Sequence, residues 1–127
     1  MLYEELTGKI LETCFDVINE LGAGFLESVY QNALLIAFRQ KGMNVKSQVP
    51  FSVVFRNETV GNFMADFLVE NKVIVEVKAV STLTSEHQAQ TINYLKASGI
   101  EVGLLINFGT TRLQYKRLHK ELPPKNN

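Results

Sequence analysis

The stretch that decides the fold is Phe63-Met-Ala-Asp-Phe-Leu-Val-Glu-Asn-Lys-Val-Ile-Val-Glu-Val-Lys78. Two β-rich runs, 63–69 and 73–78, flank residues 70–72, and this pattern predicts an antiparallel hairpin. With 70–72 as the loop, three pairs of side chains lie opposite each other: Leu68–Ile74, Asp66–Glu76 and Met64–Lys78. A two-residue loop would place Asp66 opposite Val75 and separate the charges, so the predicted site depends on the register.

In the three-residue register, two carboxylates and one ammonium share a patch bounded by Met64, Leu68 and Ile74. Like charges that face each other on a sheet are destabilising, and burial makes them more so unless they are paired or bind a metal. A hard divalent cation with oxygen ligands, Mg²⁺ or Mn²⁺, is the simplest compensating partner. The patch therefore predicts a metal site at Asp66 and Glu76.

The alternative is that these charged residues lie on a solvated face of the sheet, near a turn. Two features of the sequence disfavour this alternative. The same face carries large apolar residues, and Val73-Ile74-Val75 is a continuous apolar run, which is typical of a strand buried on both sides.

Composition limits the class of protein. The chain has 127 residues, about one domain (1–127), and 46% of them are hydrophobic, enough for a core. No segment approaches the ~20 apolar residues that span a membrane, and the acidic N-terminus lacks the order of a signal peptide. The single cysteine, Cys14, fits a reducing compartment, so we expect a cytoplasmic protein with no membrane partner. The balance of 13 basic and 13 acidic residues argues against binding nucleic acid by net charge alone.

Hydrophobic periodicity predicts three helices and several strands around the hairpin. The helices are expected at Tyr3–Leu21, at Leu26–Lys41 and, after a cap at Thr84 or Ser85, up to about Ala97, each ended by a glycine. Further strands are expected at Val45–Phe55, where Pro50 indicates an edge or a bend, and at Val102–Phe108 and Leu113–Leu118, before a frayed tail at 121–127. A crossover helix between Lys78 and Val102 would make their strands parallel neighbours. The order predicts an α/β fold with a mixed central β-sheet flanked by helices.

Four motifs follow one another along the chain. They are Gly24-x-x-Glu27-x-x-Tyr30, Asp66 followed by Glu76-x-Lys78, Gln90-x-x-x-Tyr94, and Leu-Leu-Ile-Asn-Phe-Gly at 104–109. Together with the order of elements they resemble the PD-(D/E)XK nucleases, whose core is restriction-endonuclease-like. Within that superfamily the chain resembles the GxxExxY family and, by Gln90 and Tyr94, the RecB-like branch.

The resemblance implies roles for individual residues. Asp66 and Glu76 would be metal ligands, and Lys78 would orient or activate the attacking water. Glu27 would add a third acidic group to the metal shell, and Gln90 and Tyr94 would line the site. Ala65 stands where the family name has proline, a position that carries no chemistry.

The helix that begins near Leu26 allows two interpretations of Glu27. A carboxylate in the first turn is favoured by the helix dipole, which is a structural role. Tyr30 and Leu34 share a helix face with Glu27, and packing of that face on the sheet would aim Glu27 at the sheet's edge. On this second interpretation we expect Tyr30 to line the site as well.

The densest basic cluster lies in and around the last strand and comprises Arg112, Lys116, Arg117 and Lys120. Such charges either protect an edge strand from aggregation or follow a phosphate backbone. On the second interpretation, Arg112 and Lys116 are predicted substrate-binding residues.

The leading hypothesis is a metal-dependent nuclease that hydrolyses phosphodiesters, with DNA favoured over RNA, or a domain descended from one. A metal held by two carboxylates could lower the pKa of a water molecule and stabilise charge on the phosphate. The first alternative is a catalytically silent module on the same fold that binds nucleic acid or a protein partner. The second is an oligomeric accessory protein.

Overall fold

The structure, a computed structural model, describes residues 2–120, and the predicted tail at 121–127 lies outside them. Its elements are α1 (Glu4–Leu21), α2 (Glu27–Gln40), β1 (Val45–Phe55), β2 (Glu58–Val69), β3 (Val73–Lys78), α3 (Ser85–Ser98), β4 (Val102–Asn107) and β5 (Gln114–His119). The predicted helices are confirmed to within one residue at each end. β2 begins earlier than the predicted run at 63–69.

The five strands form one mixed sheet in the order β1-β2-β3-β4-β5. Neighbouring strands are antiparallel except β3 and β4, which are parallel. α3 makes the crossover between these two strands, as predicted. The arrangement confirms the α/β fold with a mixed central sheet flanked by helices.

Helices cover both faces of the sheet because its central strands are apolar on both sides. Residues Val73 to Val77 of β3 and all of β4 are buried. α1 and α2 pack on the face that carries Val73, Val75 and Val77. α3 packs on the other face, where Leu95 meets Ile74 and lies against Gly103. Because side chains alternate along a strand, Glu76 and Lys78 lie on the α3 face.

The β2–β3 hairpin has the predicted three-residue loop, with Leu68 opposite Ile74. The ladder, however, ends at the pair Phe67–Val75. The predicted pairs Asp66–Glu76 and Met64–Lys78 are therefore wrong. β2 stays paired with β1 past this point and follows it away from β3. Met64, expected to border the charged patch, is accordingly 52% exposed.

β1 is an edge strand that continues through Pro50, which confirms the edge location that proline indicated. Gln48 in this strand has a left-handed backbone (φ 53°) and makes no ladder pair. The register of its neighbours places Gln48 opposite Asp66, just past the point where β2 and β3 separate. The β1–β2 pair is therefore irregular next to the end of the β2–β3 ladder. Within residues 2–120, no helix is both long enough and apolar enough to cross a membrane.

Candidate active site

The candidate site lies where β2 and β3 separate, just past the last ladder pair. Two carboxylates replace the missing backbone hydrogen bonds across this fork. Glu76 Oε2 accepts a hydrogen bond from the backbone N–H of Asp66 (2.7 Å), and Asp66 Oδ2 accepts one from the N–H of Val77 (2.8 Å). The two acidic side chains therefore meet through side-chain-to-backbone bonds rather than through the ladder register expected from the sequence.

Glu76 is buried on β3, with 5% of its surface exposed. Burial and the neighbouring charge of Asp66 raise its pKa to about 8. The hydrogen bond from the Asp66 N–H and the charge of Lys78 act in the opposite direction and do not offset them. Near neutral pH this carboxyl is mainly protonated unless a cation competes with the proton.

Asp66 is half-buried, and burial raises its pKa as well. Three contacts oppose this rise: the hydrogen bond from the Val77 N–H, the charge of Lys78 and a hydrogen bond from Gln31. Asp66 and Glu76 thus share a partly desolvated fork in which ionising both groups is unfavourable.

Glu27 reaches the same region from the first turn of α2. Burial raises its pKa, Lys78 lowers it and Asp66 raises it, so the three groups lie within electrostatic range of one another. Gln31, one turn further along α2, donates to Glu27 Oε1 (3.3 Å) and also hydrogen-bonds Asp66. Gln31 therefore bridges the helix and the fork. Gln31 was not predicted from the sequence, although its i+4 spacing from Glu27 places both residues on one face of the helix.

Tyr30, expected to line the site, lies behind it. Its ring is fully buried and stacks on Phe108, with 4.7 Å between the centroids. Its hydroxyl donates to the carbonyl of Gly22 (2.6 Å) and accepts from the N–H of Phe25 (3.2 Å). The site-lining prediction for Tyr30 is corrected by this placement, because its polar atom is occupied by the loop that precedes Glu27.

Lys78 acts on all three carboxylates. Its positive charge lowers the pKa of Glu27, of Asp66 and of Glu76. Lys78 thus lies within electrostatic range of three acidic groups, and the site carries an excess of negative charge when they are ionised.

The end of β4 clamps the chain that follows Lys78. The N–H of Phe108 donates to the carbonyl of Lys78 (2.8 Å). The buried Asn107 side chain accepts from the N–H of Val80 (2.9 Å) and donates to the carbonyl of the same residue (2.9 Å). A Cβ at Gly109 would lie 2.1 Å from the Val80 carbonyl oxygen, so only glycine fits there. The stretch at 104–109 therefore fixes the backbone that carries Lys78.

Tyr94 on α3 lies within electrostatic range of the carboxylates. Burial raises its pKa, and the charges of Glu76 and Asp66 raise it further. Gln90, one turn earlier, is exposed, and its role at the site stays a prediction.

Two members of the basic cluster are held by the fold. Arg117 Nη1 donates to Thr7 Oγ1 (2.5 Å), and Nη2 bonds the carbonyl of Leu2, which ties β5 to the start of α1. Lys120 pairs with Glu101 at 3.7 Å. These two cations therefore have structural roles.

The other two members, Arg112 and Lys116, are exposed. Lys116 lies opposite Leu105, which lies opposite Glu76, so the three project from one face of the sheet. Two strand spacings separate the backbones of Lys116 and Glu76, about 10 Å. Arg112 precedes β5 at the end of the sheet where Lys78 ends β3.

The oxygen donors of the site suit a hard divalent cation, but they do not form a closed cage. Within the described part of the chain, no group of three or more His, Cys, Asp or Glu side chains is arranged to hold a metal ion. Glu27 as a third ligand therefore stays a prediction. Mg²⁺ commonly takes only one or two carboxylates, with water and substrate phosphate completing its shell, and Asp66 and Glu76 meet that requirement.

Comparison with known proteins identifies the family. No curated protein matches the chain significantly. Among solved structures, the crystal structure of SSO0001 matches 95% of the chain with a TM-score of 0.61 and 17% identity. The chain spans 61% of that protein's length, and the likeness shows a shared fold only. The sequence profile of the PD-(D/E)XK nuclease superfamily matches residues 4–118. The chain therefore belongs to the PD-(D/E)XK nuclease superfamily.

Proposed function

We propose that this protein is a metal-dependent nuclease that hydrolyses phosphodiester bonds in DNA. The observation that carries the proposal is the pair of half-buried and buried carboxylates, Asp66 and Glu76, which backbone N–H groups hold at the fork within electrostatic range of Glu27 and Lys78. Desolvated like charges destabilise a fold unless a cation compensates them. The pair is therefore explained by a ligand that supplies positive charge, and membership of a nuclease superfamily makes a divalent metal and a phosphate the natural candidates.

Mg²⁺ or Mn²⁺ would be held by Asp66 and Glu76. A backbone N–H fixes one oxygen of each carboxylate, which orients both groups before any ligand binds. When bound, the metal would lower the pKa of a water molecule and neutralise charge on phosphate oxygens.

The protein's own residues would then handle the proton and the developing charge. Hydrolysis forms a bond from water oxygen to phosphorus and breaks a P–O ester bond; the water loses one proton, and the departing alkoxide takes up one proton from solvent. Glu27, whose pKa is raised by burial, is suited to receive the proton that the water loses. Lys78, on the same strand face as Glu76, would face the phosphate as its negative charge grows.

Nucleic acid would reach the site along the α3 face of the sheet. Arg112 and Lys116 are the exposed cations on the β5 side of the carboxylates, and we assign them to the phosphate backbone. Within the superfamily we place the chain in the GxxExxY family with RecB-like motifs. Tyr30 supports this placement because its hydroxyl hydrogen-bonds the Gly22 carbonyl and the Phe25 N–H, in the loop that precedes Glu27. A cytoplasmic location, a homo-oligomer and a protein partner stay predictions.

The decisive assay is cleavage of single-stranded, duplex and branched DNA with Mg²⁺ or Mn²⁺, with EDTA as the blank. Lys78→Ala should lose activity by about 10²-fold or more, because its contact strengthens in the transition state. Its affinity for DNA should stay close to that of the wild type. Lys9→Ala, an exposed lysine on α1, is the matched control and should cleave normally.

Each pattern of results has one interpretation. Metal-dependent cleavage that Lys78→Ala loses and Lys9→Ala keeps supports the nuclease. DNA binding with no cleavage would instead establish the silent module, and neither binding nor cleavage would leave the accessory protein.

A further inference from the structure

The β1–β2 pair turns over just past the end of the β2–β3 ladder. Side chains two residues apart on a regular strand share one face of the sheet. On β2, however, Phe67 packs in the core on the α1 and α2 side, whereas Ala65 packs in the cluster on the α3 side. β1 changes sides in the same way, since Val45 packs against the first cluster and Val49 against the second. Both strands therefore exchange faces at the level of Gln48.

The backbone of Gln48 is the local cause of this exchange. Its φ is 53°, and within residues 2–120 it is the only non-glycine residue inside a strand that has a left-handed backbone. The register is the same on both sides of it, with Ser47 opposite Phe67 and Val49 opposite Ala65, so no residue is inserted. A left-handed residue in an extended strand rotates the chain that follows it, and such irregularities recur beside active sites.

The hydrogen bonds of β2 show what the irregularity changes. In an antiparallel ladder, hydrogen-bonded pairs recur at every second residue. The N–H of Glu70 donates to the carbonyl of Asn44 (2.7 Å), so four residues along the same register the N–H of Asp66 would donate to the carbonyl of Gln48. Gln48 makes no ladder pair, and the Asp66 N–H donates instead to Glu76 Oε2 on β3 (2.7 Å).

We propose that Gln48 is a positioning residue of the candidate active site. Its left-handed backbone removes it from the ladder, and the N–H of Asp66 that is released in this way orients the Glu76 carboxylate at the fork. The inference rests on the proposed function for the role of Glu76 as a metal ligand. The Gln48 side chain is exposed, so the residue acts through its backbone. Groups that orient a metal ligand from behind contribute strongly to metal affinity.

Two substitutions at this position separate the backbone from the side chain. Gln48→Val introduces a β-branched residue, which disfavours a left-handed backbone and favours a regular strand. Gln48→Gly removes the side chain and accepts the left-handed backbone without steric cost. Ser47→Val is the matched control, because it places the same valine one residue earlier, at an exposed position that is paired with Phe67.

The first readout is nuclear magnetic resonance of isotope-labelled protein in EDTA. A scalar coupling across the hydrogen bond identifies the acceptor of the Asp66 N–H directly. In the wild type, in Gln48→Gly and in Ser47→Val, the Asp66 nitrogen should couple to the side-chain carboxyl carbon of Glu76. In Gln48→Val it should couple instead to the backbone carbonyl carbon of residue 48, because the regular ladder is restored.

The second readout is Mg²⁺ affinity, measured by isothermal titration calorimetry. Gln48→Val should bind Mg²⁺ about 10- to 100-fold more weakly than the wild type, the range for losing a group that orients a metal ligand. Gln48→Gly and Ser47→Val should bind it as the wild type does. A merely structural role would lower the melting temperature of Gln48→Val and leave both readouts unchanged.

Three results would overturn the inference. The first is a wild-type protein in which Asp66 couples to the carbonyl of Gln48 rather than to Glu76, a measurement that needs no variant and decides even if Gln48→Val does not fold. The second is Gln48→Val that keeps both the coupling to Glu76 and the affinity for Mg²⁺. The third is Gln48→Gly that loses both, since the side chain rather than the backbone would then be responsible.

Failure of this inference can be distinguished from failure of the proposed function. A protein that cleaves DNA with Mg²⁺, and whose Gln48→Val variant binds Mg²⁺ equally well, keeps the nuclease and loses the role of Gln48. A protein that binds no Mg²⁺ loses the proposed function. The couplings, which are measured in EDTA, then decide alone whether Gln48 sets the hydrogen bond between Asp66 and Glu76.

Discussion

Replacing Glu76 by glutamine tests whether a buried carboxyl destabilises the fold in the absence of metal. Glutamine has nearly the same shape and keeps an oxygen that can accept the N–H of Asp66. It cannot ionise, however. The variant therefore removes the charge and leaves the hydrogen bond of the fork in place.

The size of the effect follows from the pKa of Glu76, which the fold raises from 4.5 to about 8. Between these values the folded protein holds a proton that the unfolded chain has released, so the free energy of unfolding falls by at most ~1.4 kcal/mol per pH unit. The stability is fully present below pH 4.5 and is lost as the pH rises through about 8, a span of about 3.5 units. The upper bound is thus about 5 kcal/mol, and we expect ~2–4 kcal/mol because Asp66 shares the titration.

The assay is urea unfolding of both proteins in EDTA, from about pH 5 to about pH 8.5. Relative to Glu76→Gln, the wild type should lose ~2–4 kcal/mol across this range. Glu58→Gln, a change at an exposed carboxylate of β2, is the control and should follow the wild type. At the alkaline end, Mg²⁺ should restore stability to the wild type, by ~2.7 kcal/mol at a hundredfold excess over its Kd, and not to Glu76→Gln. Parallel pH profiles for the wild type and Glu76→Gln would refute the reasoning.

Three other predictions follow from the same structure. Asp66→Asn should stabilise the metal-free protein by about 1 kcal/mol, because it removes one of two like charges from a partly desolvated site, and it should abolish the rise in melting temperature that Mg²⁺ gives the wild type; an equal response in both proteins would contradict it. Gly109→Ala should destabilise the protein by ~1–3 kcal/mol because its Cβ would overlap the backbone of Val80, whereas Gly61→Ala, with nothing within 4 Å of its Cβ, should be nearly neutral. Equal melting temperatures for the two variants would contradict the close approach of Gly109 to Val80. Changing Arg112 and Lys116 to glutamine should weaken DNA binding for all sequences alike. The slope of log affinity against log salt concentration should fall in magnitude by ~1 for each phosphate that is no longer neutralised, and an unchanged slope would show that these residues do not contact the phosphates.

The sequence predicted the features that depend on residues close together in the chain. The apolar run of β3 indicated a strand buried on both sides, and the hairpin loop at 70–72 set its register. Thr84 or Ser85 was expected to cap α3, and the cap is Thr84, whose Oγ1 accepts the N–H of His87 (3.3 Å). These outcomes follow from local propensity and periodicity, which act within a few residues.

The details of the site could not be predicted in this way, because they depend on contacts between distant segments. Strand alternation implied that the β2–β3 ladder continues to Asp66, whereas the ladder ends at Phe67–Val75 and β2 stays paired with β1 beyond that point. The motif spacing suggested that Tyr30 faces the site, yet its hydroxyl satisfies the Gly22–Phe25 loop. Charge counting grouped Arg117 with the other cations of the basic cluster, whereas its guanidinium donates to Thr7, 110 residues away in the chain.

The hydrogen bonds of the fork explain why the site accepts alanine at position 65, where the superfamily's name has proline. Proline differs from alanine in lacking its own N–H. The N–H that holds Glu76 belongs to Asp66, so the residue before it does not affect that bond. Ala65 is buried in the cluster with Leu95 and contributes packing. Asp66, in contrast, makes two hydrogen bonds to β3. Its N–H donates to the Glu76 carboxylate, and its own carboxylate accepts from the Val77 N–H. A single aspartate therefore both joins the diverging strands and brings the second carboxylate to the point where the sheet opens.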